Sequence, residues 1–375
     1  MQQRKIHFIV LSSFSATGGI EKFNRAFMKA LVQLEQVLAV KTSFAGMYDA
    51  GSDDEYVPAK KFRAFNGKRI VCVVQSILQS LSTDELIIGH MNLAMIGVIY
   101  KLIRPKGTLT VICHGIEVFE PVTGLQKQLL QKADRILAVS HYTKQQLIEQ
   151  QGMAAEKITV FPNTIDPFFQ LPGTFEKPHY LKKRYNITDD EKIIFTLTRL
   201  KSEEGYKGYD KLITALQLYK QNGIAFKYIL AGKADDKEQQ RMQALIQQHG
   251  LEQDVIMTGF IPDEEVTDHY LLADVFAMPS KGEGFGIVYL EAMACGLPVI
   301  AGNKDGSTEA LQFGKLGTLI DPDSTEELFH ALEFVLKKNE VPRAKELQQQ
   351  VTQLFSFDQF QNRLQQIIKK ETVYA

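Results

Sequence analysis

Short runs of hydrophobic residues alternate with amphipathic segments along the first half of the chain. The runs predict buried β-strands at residues 6–11, 86–89, 108–113, 135–139 and 157–161. Between them, apolar residues recur at helical spacing, which predicts helices at residues 19–34, 92–102, 124–132 and 143–150. This alternation indicates a parallel, doubly wound α/β sheet, because parallel strands are joined by crossover helices.

The same alternation restarts in the second half, after a charged, proline-containing stretch at residues 166–190. Strands are predicted at residues 192–198, 226–231, 254–258, 275–278 and 298–301. A chain of 375 residues also exceeds one ordinary hydrophobic core. We therefore predict two Rossmann-like domains, at residues 1–168 and 169–356. Their ligand is expected beyond the carboxyl ends of the strands, in a cleft between the domains.

The segment at residues 280–298 places two carboxylates around a glycine-rich entry into a helix. Gly284 and Gly286 leave the backbone open, so amide groups at the start of the helix can approach a phosphate. Glu291 lies about one turn, roughly 5 Å, into this helix, where a carboxylate suits a ribose diol. Glu283 precedes the helix and can accept hydrogen bonds from sugar hydroxyls. The alternative is an ordinary helix with an acidic entry and an exposed glutamate.

These residues closely resemble the signature of retaining glycosyltransferases of group 1, family 4. The resemblance is carried by residues 283–286 (Glu-Gly-Phe-Gly), by Glu291 and by residues 294–300 (Ala-Cys-Gly-Leu-Pro-Val-Ile). It covers nearly the whole chain, through Gly18-Gly19, His114-Gly115, Pro162-Asn163, Arg199 and Lys207, although Thr164 stands where the family has a glycine. The resemblance implies a GT-B fold, in which two Rossmann-like doubly wound domains face each other across a cleft, and a nucleotide-sugar donor.

The resemblance also implies roles for individual residues. The implied catalytic residues are His114 beside the donor sugar, Glu283 at its hydroxyls, and the cations Arg199 and Lys207. Two fixed cations at one mouth can stabilise the charge that develops on a departing diphosphate. The other implied donor-binding residues are Gly18, Gly19, Phe260, Ile261, Gly284, Phe285, Gly286, Ile287 and Glu291. Without the resemblance, Gly18-Gly19 would be a plain helix entry and the two cations exposed loop residues. The C-terminal helix, residues 357–375, is implied to pack back on the first domain.

Metal and cofactor sites are not expected. No convincing Asp-x-Asp pair stands at a strand end. Residues 53–54 and 235–236 are adjacent carboxylates in polar loop sequence, and Asp321-Pro322-Asp323 resembles a turn before a helix cap. We predict a metal-independent reaction with no cofactor besides the nucleotide-sugar co-substrate. UDP-glucose or a related UDP-hexose is the first donor expected.

Composition and charge are those of an ordinary globular protein. Hydrophobic residues make up 45% of the chain and charged residues 23%, which argues against disorder. The net charge of -1 gives no global attraction to nucleic acid. Cys72, Cys113 and Cys295 lie in apolar runs, which predicts reduced core thiols. Together with the lack of a long apolar segment, this predicts a cytoplasmic protein, with any membrane contact peripheral and at the inner face.

One basic run, residues 60–69, contains five cations and two aromatic residues. A membrane-facing or lipid-pyrophosphate-binding patch is one interpretation. An ordinary solvated loop or a wall of the acceptor site is the other. No RNA-binding motif accompanies the run, so nucleic acid is not an expected partner.

The sequence thus predicts a retaining hexosyltransferase that acts on a glycan or lipid-linked hydroxyl in polysaccharide or glycolipid assembly. Three alternatives stay open: a GDP-mannose-dependent mannosyltransferase, a nucleotide-sugar epimerase, and a non-catalytic subunit that binds sugar nucleotides. Retention of Arg199, Lys207, Glu283 and Glu291 argues against the last, because a pseudoenzyme is free to lose such residues.

Overall fold

The computed structural model describes residues 3–337 and 343–372, and the chain divides into two compact units. The first unit comprises Met1–Pro167 and Phe355–Ala375, and the second comprises Phe168–Leu354. Each unit contains one sheet whose strand pairs are all parallel. Within the described ranges, no helix combines the length and apolar character that crossing a bilayer requires.

The first unit has a seven-stranded sheet in the order β3-β2-β1-β4-β5-β6-β7. Its strands are β1 Arg4–Val10, β2 Val40–Gly46, β3 Phe62–Ala64, β4 Glu85–Ile88, β5 Thr108–Cys113, β6 Arg135–Ala138 and β7 Ile158–Val160. Its helices are α1 Gly19–Leu34, α2 Arg69–Ser80, α3 Ala94–Ile103, α4 Gly124–Lys132, α5 His141–Glu149 and α14 Phe357–Thr372. Strand order reverses direction between β1 and β4, which is the point where doubly wound sheets bind ligands.

Helix α14 packs against α1 within this first unit. Phe360 of α14 lies in a cluster of aromatic rings with Phe23 and Phe27 of α1 and with Phe161, which follows β7. The ring centroids of Phe161 and Phe360 are 4.5 Å apart, and those of Phe23 and Phe360 are 5.6 Å apart. All four rings are buried. The end of the chain therefore supplies part of the hydrophobic core built by its beginning.

The second unit has a six-stranded sheet in the order β10-β9-β8-β11-β12-β13, which reverses direction between β8 and β11. Its strands are β8 Lys192–Leu197, β9 Phe226–Ala231, β10 Val255–Gly259, β11 Val275–Met278, β12 Val299–Gly302 and β13 Thr318–Ile320. Its helices are α6 His179–Arg184, α7 Tyr209–Gln221, α8 Asp236–Gln248, α9 Asp263–Leu272, α10 Ile287–Ala294, α11 Ser307–Ala310, α12 Thr325–Lys337 and α13 Ala344–Phe355.

The prediction of two doubly wound, Rossmann-like sheets is confirmed. Every predicted strand is present, and those at residues 108–113, 226–231 and 275–278 have the predicted bounds. Among the strands, β2, β3 and β13 were not predicted, and among the helices of the first unit α2 was not. The run at residues 60–69, read as loop or surface patch, contains β3 and the start of α2. The stretch at 166–190 contains the short helix α6. The three cysteines are free and buried, as predicted.

Candidate functional site

Four charged side chains gather at the carboxyl end of the second sheet, beside its switch point. The loop after β8 carries Arg199, Glu204 and Lys207, and the loop after β11 carries Glu283. Lys207 Nζ lies 2.5 Å from Glu283 Oε1, and Arg199 Nη2 lies 3.1 Å from Glu204 Oε1. Lys207 Nζ is also 3.9 Å from Glu204 Oε2. The structure therefore brings together three residues singled out from the sequence and adds Glu204 between the two cations.

The two cations differ in their surroundings. Lys207 is buried at the end of a 3₁₀ turn, Gly205–Lys207, whereas Arg199 is exposed. The ammonium of Lys207 also lies 5.3 Å from the centre of the Tyr206 ring, a distance at which the ring face attracts a cation. Two carboxylates balance the two cations. A dianionic ligand would thus meet positive groups that are already held in place.

Asp305 holds the loop that carries Glu283. This buried carboxylate lies after β12 and accepts a hydrogen bond from the Glu283 amide at 2.7 Å. It also accepts from the amide of Ser307 at 3.0 Å and from its hydroxyl at 2.5 Å. Burial raises the pKa of Asp305 to about 6, despite these three donated hydrogen bonds. The backbone position of Glu283 therefore depends on a residue more than twenty positions away in the sequence.

Two glycines let the site loops approach each other. Gly286 has φ 90°, and helix α10 begins directly after it, as the sequence predicted. A Cβ at Gly286 would overlap the Tyr289 ring. Gly306 follows Asp305, and a Cβ there would overlap the carbonyl oxygen of Gly284. A side chain at Gly306 would separate the loops after β11 and β12, and a side chain at Gly286 would displace the Tyr289 ring or the start of α10.

The helix α10 carries the second predicted carboxylate, Glu291, one turn from its start. Glu291 is fully buried, and its Oε2 accepts a hydrogen bond from the Tyr270 hydroxyl at 3.1 Å. Phe285 and Ile287 are buried as well. Within the part of the chain that the structure describes, no hydrogen bond engages the amides of Gly284 or Gly286. The start of α10 therefore offers backbone donors to an anion, while its side chains pack inwards.

The remaining predicted residue pair of this unit, Phe260 and Ile261, directly follows β10. Phe260 is exposed and Ile261 is buried. The strand order places β10 at the edge of the sheet, two strands away from β8.

The predicted glycine turn of the first unit lies at the carboxyl end of β1. Gly18 precedes α1, and Gly19 is exposed, with open space where a Cβ would stand. The loop before them is held by Asp49, a buried carboxylate that accepts from the amides of Ser13, Phe14 and Ser15 at 2.8–3.1 Å. These amides are therefore engaged within the protein, which leaves the start of α1 as the part of this turn open to a ligand.

His114 directly follows β5, at the same edge of the first sheet. Its Nε2 lies 3.0 Å from the carbonyl oxygen of Gly89, and its amide donates to Glu117 Oε1 at 2.5 Å. Burial lowers the pKa of His114 to about 4, so the imidazole is neutral at physiological pH. Because a carbonyl oxygen only accepts, Nε2 carries the proton and Nδ1 is an acceptor. The residue is suited to orient a hydroxyl group and unsuited to carry positive charge.

Three residues of these sites were missed in the sequence: Glu204, Asp305 and Asp49. Asp305 stands in an Asp-Gly-Ser turn after a predicted strand, so the turn was detectable. Its contact with Glu283 was not, because no local pattern encodes a contact between distant loops. Asp49 lacks any local signal. Glu204 was visible as one charge among several in a loop.

The carboxylate pairs that the sequence assigned to loops or turns hold local backbone. Asp53 and Asp54 accept from the amides of Glu55 and Ala59, and Asp235 accepts from the amide of Glu238 at the start of α8. Asp235 is thus a helix cap and not a plain loop residue. Across residues 3–337 and 343–372, no three His, Cys, Asp or Glu side chains converge as metal ligands do. Independence from metal stays a prediction.

Two family models match consecutive parts of the chain. Residues 17–168 match glycosyltransferase family 4, and residues 180–353 match glycosyl transferases group 1. The GDP-mannose-dependent alpha-(1-6)-phosphatidylinositol monomannoside mannosyltransferase of Mycolicibacterium smegmatis is 27% identical, over 81% of this chain and 82% of the relative. Mannosylfructose-phosphate synthase of Agrobacterium fabrum is 26% identical, over 54% of this chain and 46% of the relative.

Solved structures share the fold over nearly the whole chain. Sucrose-phosphate synthase of Thermosynechococcus elongatus has a TM-score of 0.79 and 18% identity, with all of both chains covered. The Anabaena protein HepE, solved in complex with UDP-glucose, has a TM-score of 0.78 and 20% identity, with 98% of this chain and 99% of HepE covered. Since the two family models together match most of the chain, it belongs to the group 1 glycosyltransferases, GT-B enzymes that transfer a sugar from a nucleotide-sugar donor.

Proposed function

We propose that the protein transfers a hexose from a nucleoside diphosphate sugar to a hydroxyl acceptor in polysaccharide or glycolipid assembly, with retention at the anomeric carbon and without a metal ion. The observation that carries this proposal is the cluster of Arg199, Lys207, Glu204 and Glu283 beside the start of α10. Cations beside backbone donors suit a diphosphate.

The cations act on the leaving group. As the glycosidic bond breaks, negative charge moves onto the diphosphate, so the attraction to Arg199 and Lys207 strengthens on the way to the transition state. Their carboxylate partners hold them in place before the donor arrives. Preorganisation of this kind lowers the barrier because little rearrangement is needed during the reaction. In this proposal the cations replace the metal ion.

The acceptor attacks from the face that the diphosphate leaves. The departing phosphate oxygen takes the proton of the acceptor hydroxyl, a new bond forms between the acceptor oxygen and the anomeric carbon, and configuration is retained. No protein nucleophile takes part. His114 serves this course as a neutral group, because its Nδ1 can accept a hydrogen bond from a sugar hydroxyl while Nε2 donates to Gly89.

The two glutamates are proposed to bind different parts of the donor. Glu283, held by Lys207 and Asp305, accepts from hydroxyls of the transferred sugar. Glu291 is assigned to the ribose diol, and because its side chain is fully buried and bonded to Tyr270, this contact requires the groups that cover it to shift when the donor binds. Glu291→Gln should therefore weaken binding of the free nucleoside diphosphate, whereas Glu283→Gln should chiefly weaken the intact donor and its transfer. Titration calorimetry with both ligands measures the difference. Equal loss of nucleoside diphosphate affinity in the two variants would contradict this division.

Two donors are carried forward. A UDP-hexose is the first, which is supported by the shared fold with HepE, solved with UDP-glucose. GDP-mannose is the second, because the mycolicibacterial relative that resembles this chain over four fifths of its length is GDP-mannose-dependent. In this proposal, the loops that follow β9 and β10, including Phe260 and Ile261, select between the uracil and guanine bases of these donors.

A donor screen tests the proposal. UDP-, GDP- and ADP-sugars are incubated with and without EDTA, and release of nucleoside diphosphate and the fate of the sugar are measured. We expect one nucleotide class to be consumed and EDTA to leave most activity intact. Interconversion of sugars on an intact nucleotide would instead indicate an epimerase. Binding without turnover of any donor or acceptor would indicate a non-catalytic subunit. Loss with EDTA and rescue by Mg²⁺ would refute the role given to the cations.

A further inference from the structure

Helix α2 buries small polar residues and exposes a row of aliphatic ones, although its Val73 packs against the core. Its buried positions include Cys72, Ser76 and Ser80, with 0%, 2% and 0% of their surface exposed. Its outward positions include Ile70, Val74 and Leu78, with 81%, 50% and 59% exposed. An ordinary surface helix buries its aliphatic residues and exposes its polar ones. The outer face of α2 therefore keeps a row of aliphatic side chains in water, at a cost in free energy.

The row is continuous along the helix. Residues 70, 74 and 78 follow each other at a spacing of four, so their side chains lie on one face. Val71 and Leu81 extend it and are also exposed. We call these five residues the α2 apolar face. A single exposed aliphatic residue needs no explanation, but a row along three turns of a helix marks a binding surface.

Basic residues border the start of this face, and most of them have no carboxylate partner in the described chain. Residues 56–83 contain five cations and no Asp or Glu. Of the five, only Lys61 forms an ion pair in the described chain, with Glu35 at 2.6 Å. The other four are exposed: Lys60, Arg63, Lys68 and Arg69. Lys68 and Arg69 stand at the start of α2, where the helix dipole makes positive charge unfavourable. The helix therefore departs from two local preferences, through its exposed aliphatic row and through the positive charges at its start. Such departures are typical of a functional surface.

The aromatic residues of the basic run do not contribute to this surface. Phe65 is buried, and Phe62 is half-buried in the edge strand β3, where its ring packs against Phe14. Arg63 has a plain structural explanation, because a charged residue on an edge strand prevents pairing with another sheet. Arg69 has a local contact as well, since its guanidinium lies 5.4 Å from the centre of the Tyr48 ring. Neither explanation extends to Lys68 or to the row of aliphatic residues.

We propose that the α2 apolar face and the four exposed cations form a docking surface for an anionic phospholipid bilayer. The aliphatic side chains enter the boundary between headgroups and acyl chains, and the cations contact lipid phosphates at the headgroup level. The binding is peripheral, since the contact consists of one helix face. A second copy of this chain is the less favoured occupant, because the same cations would then face each other across the symmetric contact. The inference does not depend on the donor or on the reaction.

The test measures co-sedimentation of the full chain with vesicles of two compositions: phosphatidylcholine alone, and equimolar phosphatidylcholine and phosphatidylglycerol. We expect binding to the anionic vesicles and weak binding to the neutral ones. Replacing Ile70, Val74 and Leu78 together by Ser should reduce the partition coefficient by about tenfold or more. Lys68→Gln with Arg69→Gln should reduce the partition coefficient by about fivefold for each cation removed. Because salt screens this attraction, the reduction should shrink as the salt concentration rises.

Matched controls replace residues of the same kind elsewhere. Val37, Leu171 and Leu218, all exposed aliphatic residues, are replaced together by Ser, and Lys41 and Lys127 by Gln. These variants should bind vesicles like the native chain. Thermal unfolding of each variant verifies that it is folded. Equal vesicle binding by the native chain and the α2 triple variant would overturn the proposal. So would self-association that the triple variant abolishes, with no vesicle binding by the native chain.

Discussion

At the scale of single residues, Lys207 is the cation most tightly built into the candidate site. It is buried, 2.5 Å from Glu283 and 3.9 Å from Glu204, whereas Arg199 is exposed and has one carboxylate partner. Both cations are assigned to the departing diphosphate. Burial excludes water and strengthens electrostatic attraction, so Lys207 should contribute more than Arg199.

Replacing either cation should therefore lower turnover. Lys207→Ala and Arg199→Ala should each reduce kcat by about 10²-fold, with the larger loss for Lys207. Steady-state kinetics with the donor found in the screen measures this. Lys281→Ala is the matched control, because Lys281 lies in the same loop as Glu283 but forms an exposed ion pair with Asp323. Near-normal turnover in both site variants would remove these residues from the mechanism.

Asp305 gives the second prediction at this scale, on the pH dependence of stability. Its folded pKa of about 6 lies above its ordinary value of 3.8. Between these values the folded chain holds a proton that the unfolded chain has lost, so the stability that this group contributes is present below pH 3.8 and is lost as pH rises to 6. This titration changes the free energy of unfolding by about 3 kcal/mol, because each unit of difference between the folded and unfolded pKa corresponds to roughly 1.4 kcal/mol.

The measurement is urea denaturation of the native chain and of Asp305→Asn across this pH range. The free energy of unfolding of the native chain should fall towards pH 6 relative to the variant, because the variant lacks the titrating group. At pH 7 the variant should also turn over more slowly, since an Asn amide group facing the Glu283 or Ser307 amide leaves a buried donor unpaired. Asp323→Asn, on an exposed carboxylate, serves as control. Parallel stability profiles for native and Asp305→Asn chains would contradict the assignment.

At the scale of elements, the sequence was most informative where a strand is rich in hydrophobic and β-branched residues. Strands β5, β9 and β11 are buried on both faces between helices, so their composition alone identifies them. Strands β3 and β13 have three residues each, too few for a pattern. Helix α2 was missed for a different reason. Its apolar residues lie on both the outward and the inward face, and small polar residues lie inwards, so the sequence did not separate a buried face from an exposed one.

The candidate site also contains residues that the sequence could predict and residues that it could not. Some of its groups follow strand ends, and a parallel sheet brings such groups to one edge independently of how other loops pack: Arg199, Lys207, Glu283 and the start of α10. Glu204 and Asp305 act through contacts with these residues. Such contacts depend on how distant loops pack, and no local periodicity records them.

The start of α10 supplies the prediction at this scale. Gly286 has φ 90°, which L-residues with a Cβ rarely adopt, and a Cβ there would overlap the Tyr289 ring. Gly286→Ala should therefore displace the first turn of α10, which carries Tyr289. We expect the affinity for free nucleoside diphosphate to fall by about tenfold, because helix-terminal amides and Glu291 are displaced together. Calorimetry measures the affinity.

Gly173→Ala is the control for this variant, since Gly173 has open space at its Cβ position and no unusual φ. It should bind the nucleotide like the native chain. Unchanged nucleotide affinity in Gly286→Ala, in a folded sample, would show that the start of α10 does not take part in binding.

At the scale of the whole molecule, one unit is built from a single segment of the chain and the other from two. The second unit is one continuous segment, Phe168–Leu354, but the first needs both ends of the chain. Two hydrogen bonds join the two segments of the first unit. The carbonyl oxygen of Phe355 accepts from the amide of Ile165 at 3.0 Å and from the hydroxyl of Thr164 at 2.9 Å. The first unit is therefore complete only when the last helix has docked.

Phe360 tests this dependence, since it is the residue of α14 that enters the aromatic cluster with Phe23, Phe27 and Phe161. Phe360→Ala should destabilise the first unit by about 3–5 kcal/mol, the usual effect of removing a buried aromatic ring. The second unit lacks α14 and should keep its stability. Hydrogen exchange followed by mass spectrometry resolves the two, with faster exchange expected in α1 and β7 and unchanged exchange in β8 and β9. Phe334→Ala, on an exposed ring of the second unit, should change neither. Faster exchange in β8 and β9 of the Phe360 variant, matching that in α1, would show that the two units unfold as one and that α14 stabilises both.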